Sequence, residues 1–302
     1  QSSHIYSTYF APRGRSRIYT LGMQLAQLYL SPFDQIIGFI GEAGSGKSVL
    51  IKGMFPGIEL TNDDDGVNVR PLPLLEQEYE TGFFTPHTYH LDIRFETGFH
   101  QLSELADAVR LAVRRGKRII IEHFDLIYPL LGVNANLLIG VGEQIVITRP
   151  NLFGPLPQEL CDIVYPSLAY RLMAHSAEDL CEYAMTQEQM LACSHGDIRH
   201  GFVLEFNEHQ PDIDIPTLEA RVNELIRQDL PIDYYDESHI LLGGVQHYCT
   251  GPRTHVRSTG RIIGFRLLDH FIYDHFHKTY MLVGCVGDDS EENIRKLEKI
   301  HG

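Results

Sequence analysis

Eight consecutive residues carry the clearest chemistry in this chain: Gly41-Glu42-Ala43-Gly44-Ser45-Gly46-Lys47-Ser48. They fit G-x-x-x-x-G-K-[ST] at every fixed position. Small residues let backbone N–H groups close around a polyphosphate at a helix N-terminus, where the helix dipole favours anions. Lys47 would reach the terminal phosphates, and the Ser48 hydroxyl would ligate Mg2+. Val49 continues the loop into its helix. The expected ligand is ATP with Mg2+. Such a loop does not name a reaction, so carboxylates near strand ends come next. Asp92 lies in His90-Leu-Asp-Ile-Arg94, and Glu122 closes Ile119-Ile-Ile-Glu122. Either could hold Mg2+ or orient an attacking group. Glu122 is the stronger candidate, because a carboxylate ending an all-apolar strand needs a partner. Asp63, in the run Asp63-Asp64-Asp65 before Gly66, reads equally as a catalytic base or as a solvated turn.

A second constellation lies further along. His175 and Asp179 stand at i and i+4, on one face of a helix. Cys249 and His255 follow much later. His, Asp, Cys and His are competent Zn2+ ligands, and four of them make a tetrahedral set. Spacing alone is weak evidence in a chain with 16 His, and Cys249 reads equally as a core thiol. His247, His195 and His200 are substitute ligands. Arg253, Arg257, Arg261 and Arg266 could form a basic strip for an RNA end, or simply solvate strand faces.

These residues need elements to hold them. Ile18–Leu30 has helical spacing, and Ile36–Ile40 is a short buried strand before the loop. Further strands are expected at Ile58–Leu60, Tyr89–Phe95, Arg118–Glu122 and Gln144–Thr148, with an amphipathic helix from Leu102 to Arg115. Strands alternating with helices imply a parallel sheet. The Pro-marked stretch Arg149–Pro157 reads as a linker. Beyond it, helices are expected near Tyr165–Met185 and Pro216–Gln228, and strands at Gly201–Phe206, Ile240–Leu242, Ile262–Leu268 and Tyr280–Gly284. Glu291–His301 reads as a charged helix.

Gly41–Gly53, His90–Arg94 and Ile119–Glu122 resemble the small ATPase of bacterial threonylcarbamoyladenosine tRNA modification, over about residues 36–150. That family has a later His-x-Asp-x-Tyr-Arg stretch and a strand ending in Glu-Trp; here Arg94 sits one position closer to Asp92, and His123 replaces Trp. The Asp run also makes this half similar to uridine-kinase-type phosphotransferases. His175–Leu180, Gly201–Phe206, Leu218-Glu219, Leu230–Ile232 and Cys249–Leu268 resemble, in order, the second additional domain of threonyl- and alanyl-tRNA synthetases. That domain removes wrongly attached amino acids from tRNA. Its pattern is H-x-x-x-H and C-x-x-x-H; here Asp179 replaces the second His, and five residues separate Cys249 from His255. The resemblance implies Zn2+ at His175, Asp179, Cys249 and His255. Together these likenesses imply an α/β P-loop NTPase domain with a parallel sheet at 1–158, then an α+β synthetase-editing-like domain at 159–302.

Composition bounds the answer. The 302 residues suit two domains, and 43% hydrophobic with 22% charged is globular. A net charge of −15 argues against duplex DNA and non-specific nucleic-acid binding, which need clustered Lys and Arg. No window approaches a membrane span, and the first residues contain no apolar leader. Five Cys without a CxxC suggest a reducing, cytoplasmic setting. Three functional classes follow: an ATPase in tRNA quality control or modification, acting on a tRNA 3′ end; a kinase for a nucleoside- or amino-acid-like small molecule; and a non-catalytic nucleotide sensor.

Overall fold

The computed structural model describes residues 5–60, 74, 87–207 and 209–301. The chain divides into two compact units: residues 1–11 with 15–166, and residues 12–14 with 167–302. The changeover at Pro166 falls inside a continuous helix, Pro157–Ala184, whereas the sequence places it after the Pro-marked stretch, at 158/159.

The first unit is α/β. Its elements are β1 (Ile5–Phe10), α1 (Arg15–Tyr29), β2 (Ile36–Ile40), α2 (Lys47–Met54), β3 (Thr88–Asp92), α3 (Ile93–Glu96), α4 (Leu102–Arg114), β4 (Arg118–Glu122), α5 (Phe124–Leu131), β5 (Leu137–Val141) and β6 (Gln144–Arg149). The sheet order is β1-β6-β5-β2-β4-β3. Strands β3, β4, β2 and β5 are parallel. Every residue of β2 is buried, as a central strand covered on both faces must be. On α4, Leu105, Ala108, Val109 and Ala112 form the buried stripe. Helices α1 and α2 cross where both carry glycine: a Cβ on Gly53 would meet the Tyr19 carbonyl oxygen at 2.2 Å, and one on Gly22 the Leu50 oxygen at 2.6 Å.

Three expectations need correction. The sheet is mixed, since β6 runs antiparallel to both β5 and β1. Only Gly142 and Glu143 separate β5 from β6, and so short a connection permits only an antiparallel pair. Ile58–Leu60 is irregular rather than a strand. The strand expected over Tyr89–Phe95 stops at Asp92, whose Oδ1 accepts from Phe95 N at 3.0 Å and starts α3. Asp63, Asp64 and Asp65 lie outside the described residues.

The second unit is α+β. It takes the later part of α6 (Pro157–Ala184), then α7 (Gln187–Ala192), β7 (Cys193–Ile198), β8 (Gly201–Asn207) and α8 (Ile215–Arg227). A small antiparallel sheet follows, β9 (Ile232–Asp236), β10 (His239–Leu242) and β11 (Val245–Tyr248). The chain closes with β12 (Arg266–Leu267), β13 (Ile272–Asp274), β14 (Thr279–Cys285) and α9 (Ser290–His301). The larger sheet has the order β12-β14-β8-β7, with β13 on β14. Strand β8 is buried on both faces: Phe202, Leu204 and Phe206 join the core of α6 and α8, and Val203 joins Ile294 of α9. The strand expected over Ile262–Leu268 shrinks to Arg266–Leu267. Ahead of it Thr259 Oγ1 donates to Leu225 O and accepts from Leu230 N, which fixes a turn. Among the described residues, no helix is long and apolar enough to cross a membrane.

Candidate functional site

In the first unit, parallel pairing collects the chemistry at one edge. Register sets Phe39 beside Glu122, and Glu122 beside Asp92. The loop 41–46 leaves the end of β2 at that edge and runs into α2 at Lys47. Gly44 and Gly46 take φ of +79° and +93°, a region that favours glycine. Lys47 is buried; its Nζ donates to the Glu42 carbonyl oxygen at 2.9 Å and lies 3.9 Å from Glu122 Oε2. Burial pulls the Lys47 pKa down, against the opposing pull of Glu122 and Asp92. Glu122 is buried too, with Oε1 2.9 Å from Nε2 of His90. Thus Glu122 has the partner its position demands, an imidazole on one side and an ammonium on the other.

The other residues singled out there play smaller parts. Asp92 is buried and caps α3. Ala43 and Gly44 are exposed, Ser45 is buried, and Ser48 and Val49 are half-buried on the first turn of α2. Glu42 pairs with Arg94, and its pKa is lowered by the Ala43 N–H and then by Arg94. His123, next to Glu122, holds φ +55° and starts α5; burial and then Lys47 keep its pKa low. A cavity of about 650 Å³, lined partly by Thr88 and Arg118, touches β3 and β4 at their starts, the opposite ends from Asp92 and Glu122.

In the second unit the determining feature is α6. Ten successive residues, Met173–Glu182, are buried, and His175, Glu178, Asp179 and Glu182 are among them. A helix buried all round is ordinarily apolar. Buried charges must instead be paired or bound to a metal. Asp179 meets both residues that the sequence suggested from afar. Its Oδ2 lies 2.5 Å from His255 Nε2, and that nitrogen is 3.7 Å from Cys249 Sγ. Asp179, Cys249 and His255 offer ligand atoms all within 4.8 Å of one another. His175 does not join them: its Nε2 is 3.6 Å from Asp197 Oδ1. Burial pushes His175 down to about 4.

Arg13 is the feature sequence reading missed. It is 1% exposed and pairs with both Glu178 and Asp179, while Nη2 lies 3.1 Å from Cys249 Sγ. Burial works to raise the Asp179 pKa, but Arg13 and then His255 overcome it and hold the carboxylate well below its usual range. For Glu178 burial prevails over Arg13, and the carboxyl rises to about 7. The Cys249 thiol is pushed to about 12, first by burial and then by Asp179. Arg13 stands in a short basic run with Arg15 and Arg17, and nothing in the local sequence signals a buried arginine.

Two further ligand groups adjoin the first. Asp179, Glu182 and His247 form one; Glu182, Cys193 and His195 form the other, again with atoms within 4.8 Å of one another. Glu182 pairs with His195; burial is the largest influence and lowers the His195 pKa, but Glu182 and Glu178 together outweigh it and leave the pKa raised. Burial and then Glu182 push Cys193 to about 12. Of the substitute ligands, His247 and His195 therefore reach the cluster, whereas His200 stacks on Tyr170 and bonds Asp289. In the arginine strip, Arg253 lies over Tyr234 near Glu237, and Arg266 pairs with Glu219 and Glu291. The donor types, thiol, imidazole and carboxylate, suit Zn2+. No protein-family model and no curated protein matches this chain.

Proposed function

We propose that the chain binds ATP with Mg2+ at Gly41–Ser48 and directs the terminal phosphoryl group to water or to an acceptor, as a P-loop NTPase. The observation that carries this reading is Lys47, buried at the start of α2 and 3.9 Å from the buried carboxylate Glu122. Lys47 donates to the Glu42 carbonyl oxygen; a bound polyphosphate would take that place. Backbone N–H groups and the α2 terminus would stabilise the anion. Ser48 would hold Mg2+, which supplies charge neutralisation to the transferring group. Glu122 would then orient the attacking oxygen, with His90 fixing its direction.

The second unit is assigned, on the same footing, to recognition of an aminoacyl-tRNA end or a similar amino-acid-bearing small molecule, in tRNA quality control or modification. Three of the four residues carried over from the editing-domain resemblance converge, namely Asp179, Cys249 and His255. They would hold Zn2+ once Arg13 releases Asp179 and Cys249, since a guanidinium and a metal ion compete for those atoms.

Calorimetry with ATP and Mg2+ tests the first assignment, with Lys47→Ala as control. Binding heat in wild type and clearly weaker binding in the variant are expected; no heat in wild type overturns the reading. The fate of labelled γ-phosphate then sorts the chemistry. Label in inorganic phosphate means hydrolysis, label on a small molecule means a kinase, and binding without turnover means a sensor. Mischarged alanine- or threonine-family tRNA should lose its amino acid or raise ATP turnover; neither response removes the tRNA assignment.

A further inference from the structure

We propose that Glu182, Cys193 and His195 form a separate site for a divalent, borderline-soft metal ion, Zn2+ by donor type. Cys193 and His195 are alternate residues of β7, so their side chains share one face. Their register partners on β8 are Phe206 and Leu204, both packed in the core that α6 covers. That face therefore looks at α6, and Glu182 is what it meets. Glu182 Oε1 pairs with His195 Nε2 and lies 3.8 Å from Cys193 Sγ. The Cys193–Glu182 separation matches the about 3–4 Å between ligand atoms of a tetrahedral ion with bonds of about 2.0–2.3 Å, and His195 and Glu182, now in direct contact, would part to admit the ion.

Two observations set this group apart from Asp179, Cys249 and His255. First, the latter set already holds a cation: Arg13 lies on Asp179 and Cys249. No hydrogen bond or ion pair from Arg or Lys reaches Glu182, Cys193 or His195 among the described residues. Second, a nitrogen stands ready beside it. His247 on β11 joins Asp179 and Glu182 in one ligand group, it is 7% exposed, and its Nε2 is buried with no hydrogen-bond partner. A buried polar atom without a partner is costly unless something binds it. The His195 side chain is 21% exposed, which gives an ion a way in.

The test uses the full chain, stripped with a chelator and titrated with Co2+ and then Zn2+. A thiolate-to-cobalt charge-transfer band is expected that persists in Cys249→Ser and is abolished when Cys193→Ser is added to it. Zn2+ affinity should fall about 100-fold or more in Cys193→Ser and His195→Gln, at least as much as losing an outer-shell partner costs. In the Cys249→Ser background, a band that survives Cys193→Ser, or the absence of any band, overturns the site. Should Cys193→Ser not fold, alkylation of the wild type decides the matter: bound Zn2+ must slow modification of Cys193, and an unchanged rate refutes the proposal.

Discussion

Asp179 Oδ2 lies 2.5 Å from His255 Nε2, across 76 positions of sequence, while Oδ1 takes the Arg13 guanidinium. One buried carboxylate thus joins three distant segments, and its environment is tied to whichever cation holds it.

Arg13→Leu leaves Glu178 and Asp179 buried without their cation. Metal-free protein should lose about 3–5 kcal/mol in urea denaturation, the usual effect of removing one partner from a buried pair. Saturating Zn2+ should restore much of that loss, because the freed carboxylate and thiol can then take the metal. Stability within about 1 kcal/mol of wild type would show that Arg13 is not what neutralises the pair.

Lys47→Ala should weaken ATP binding roughly tenfold to a hundredfold, the worth of a charged hydrogen bond of about 1.5–3 kcal/mol. Glu122→Gln, by contrast, should leave binding within a few-fold and lower kcat, since the carboxylate is assigned to the attacking oxygen. Titration calorimetry and a phosphate-release assay separate the two. Equal loss of binding in both variants would refute the division of labour.

Acid stability depends on His175. Burial lowers its folded pKa to about 4 from an ordinary 6.5. The unfolded imidazole takes its proton as pH falls through 6.5, and the folded one does so only near 4. The group's contribution is whole above 6.5 and is lost as pH falls through that window, by about 3 kcal/mol at about 1.4 kcal/mol per unit. Glu178, raised to about 7, acts in the opposite sense, losing its contribution as pH rises through that value. The comparison with His175→Gln isolates the histidine. Chelator-treated variant protein should show a flatter acid limb, and identical slopes would contradict the assignment.

Gly53→Ala would bring a methyl group 2.2 Å from the Tyr19 carbonyl oxygen. Backbone must move, and α1 and α2 would separate. A loss of about 1–3 kcal/mol is expected, as for other overpacked positions. Thermal unfolding measures it; an unchanged midpoint would show that the helices shift freely.

The local sequence fixed the periodic elements and the loop. Buried runs such as Ile36–Ile40 and Ile119–Ile121, and the stripe on α4, are short-range patterns that burial alone selects. Gly44, Gly46 and Lys47 are likewise read from neighbours in the chain. Other features depend on pairing. The alternation of Tyr89-His90-Leu91 says nothing of where a strand ends, until Asp92 turns to cap Phe95. The direction of β6 rests on a two-residue connection that resembles any other Gly-containing turn. Least legible was the buried cluster. His175 and Asp179 share a helical spacing, yet only Asp179 reaches Cys249 and His255, because the side of α6 that each residue meets is set by β7, β11 and residues 12–14. Sequence supplied the donors; long-range packing chose their partners, since burial compels each charge to find one wherever the fold brings it close.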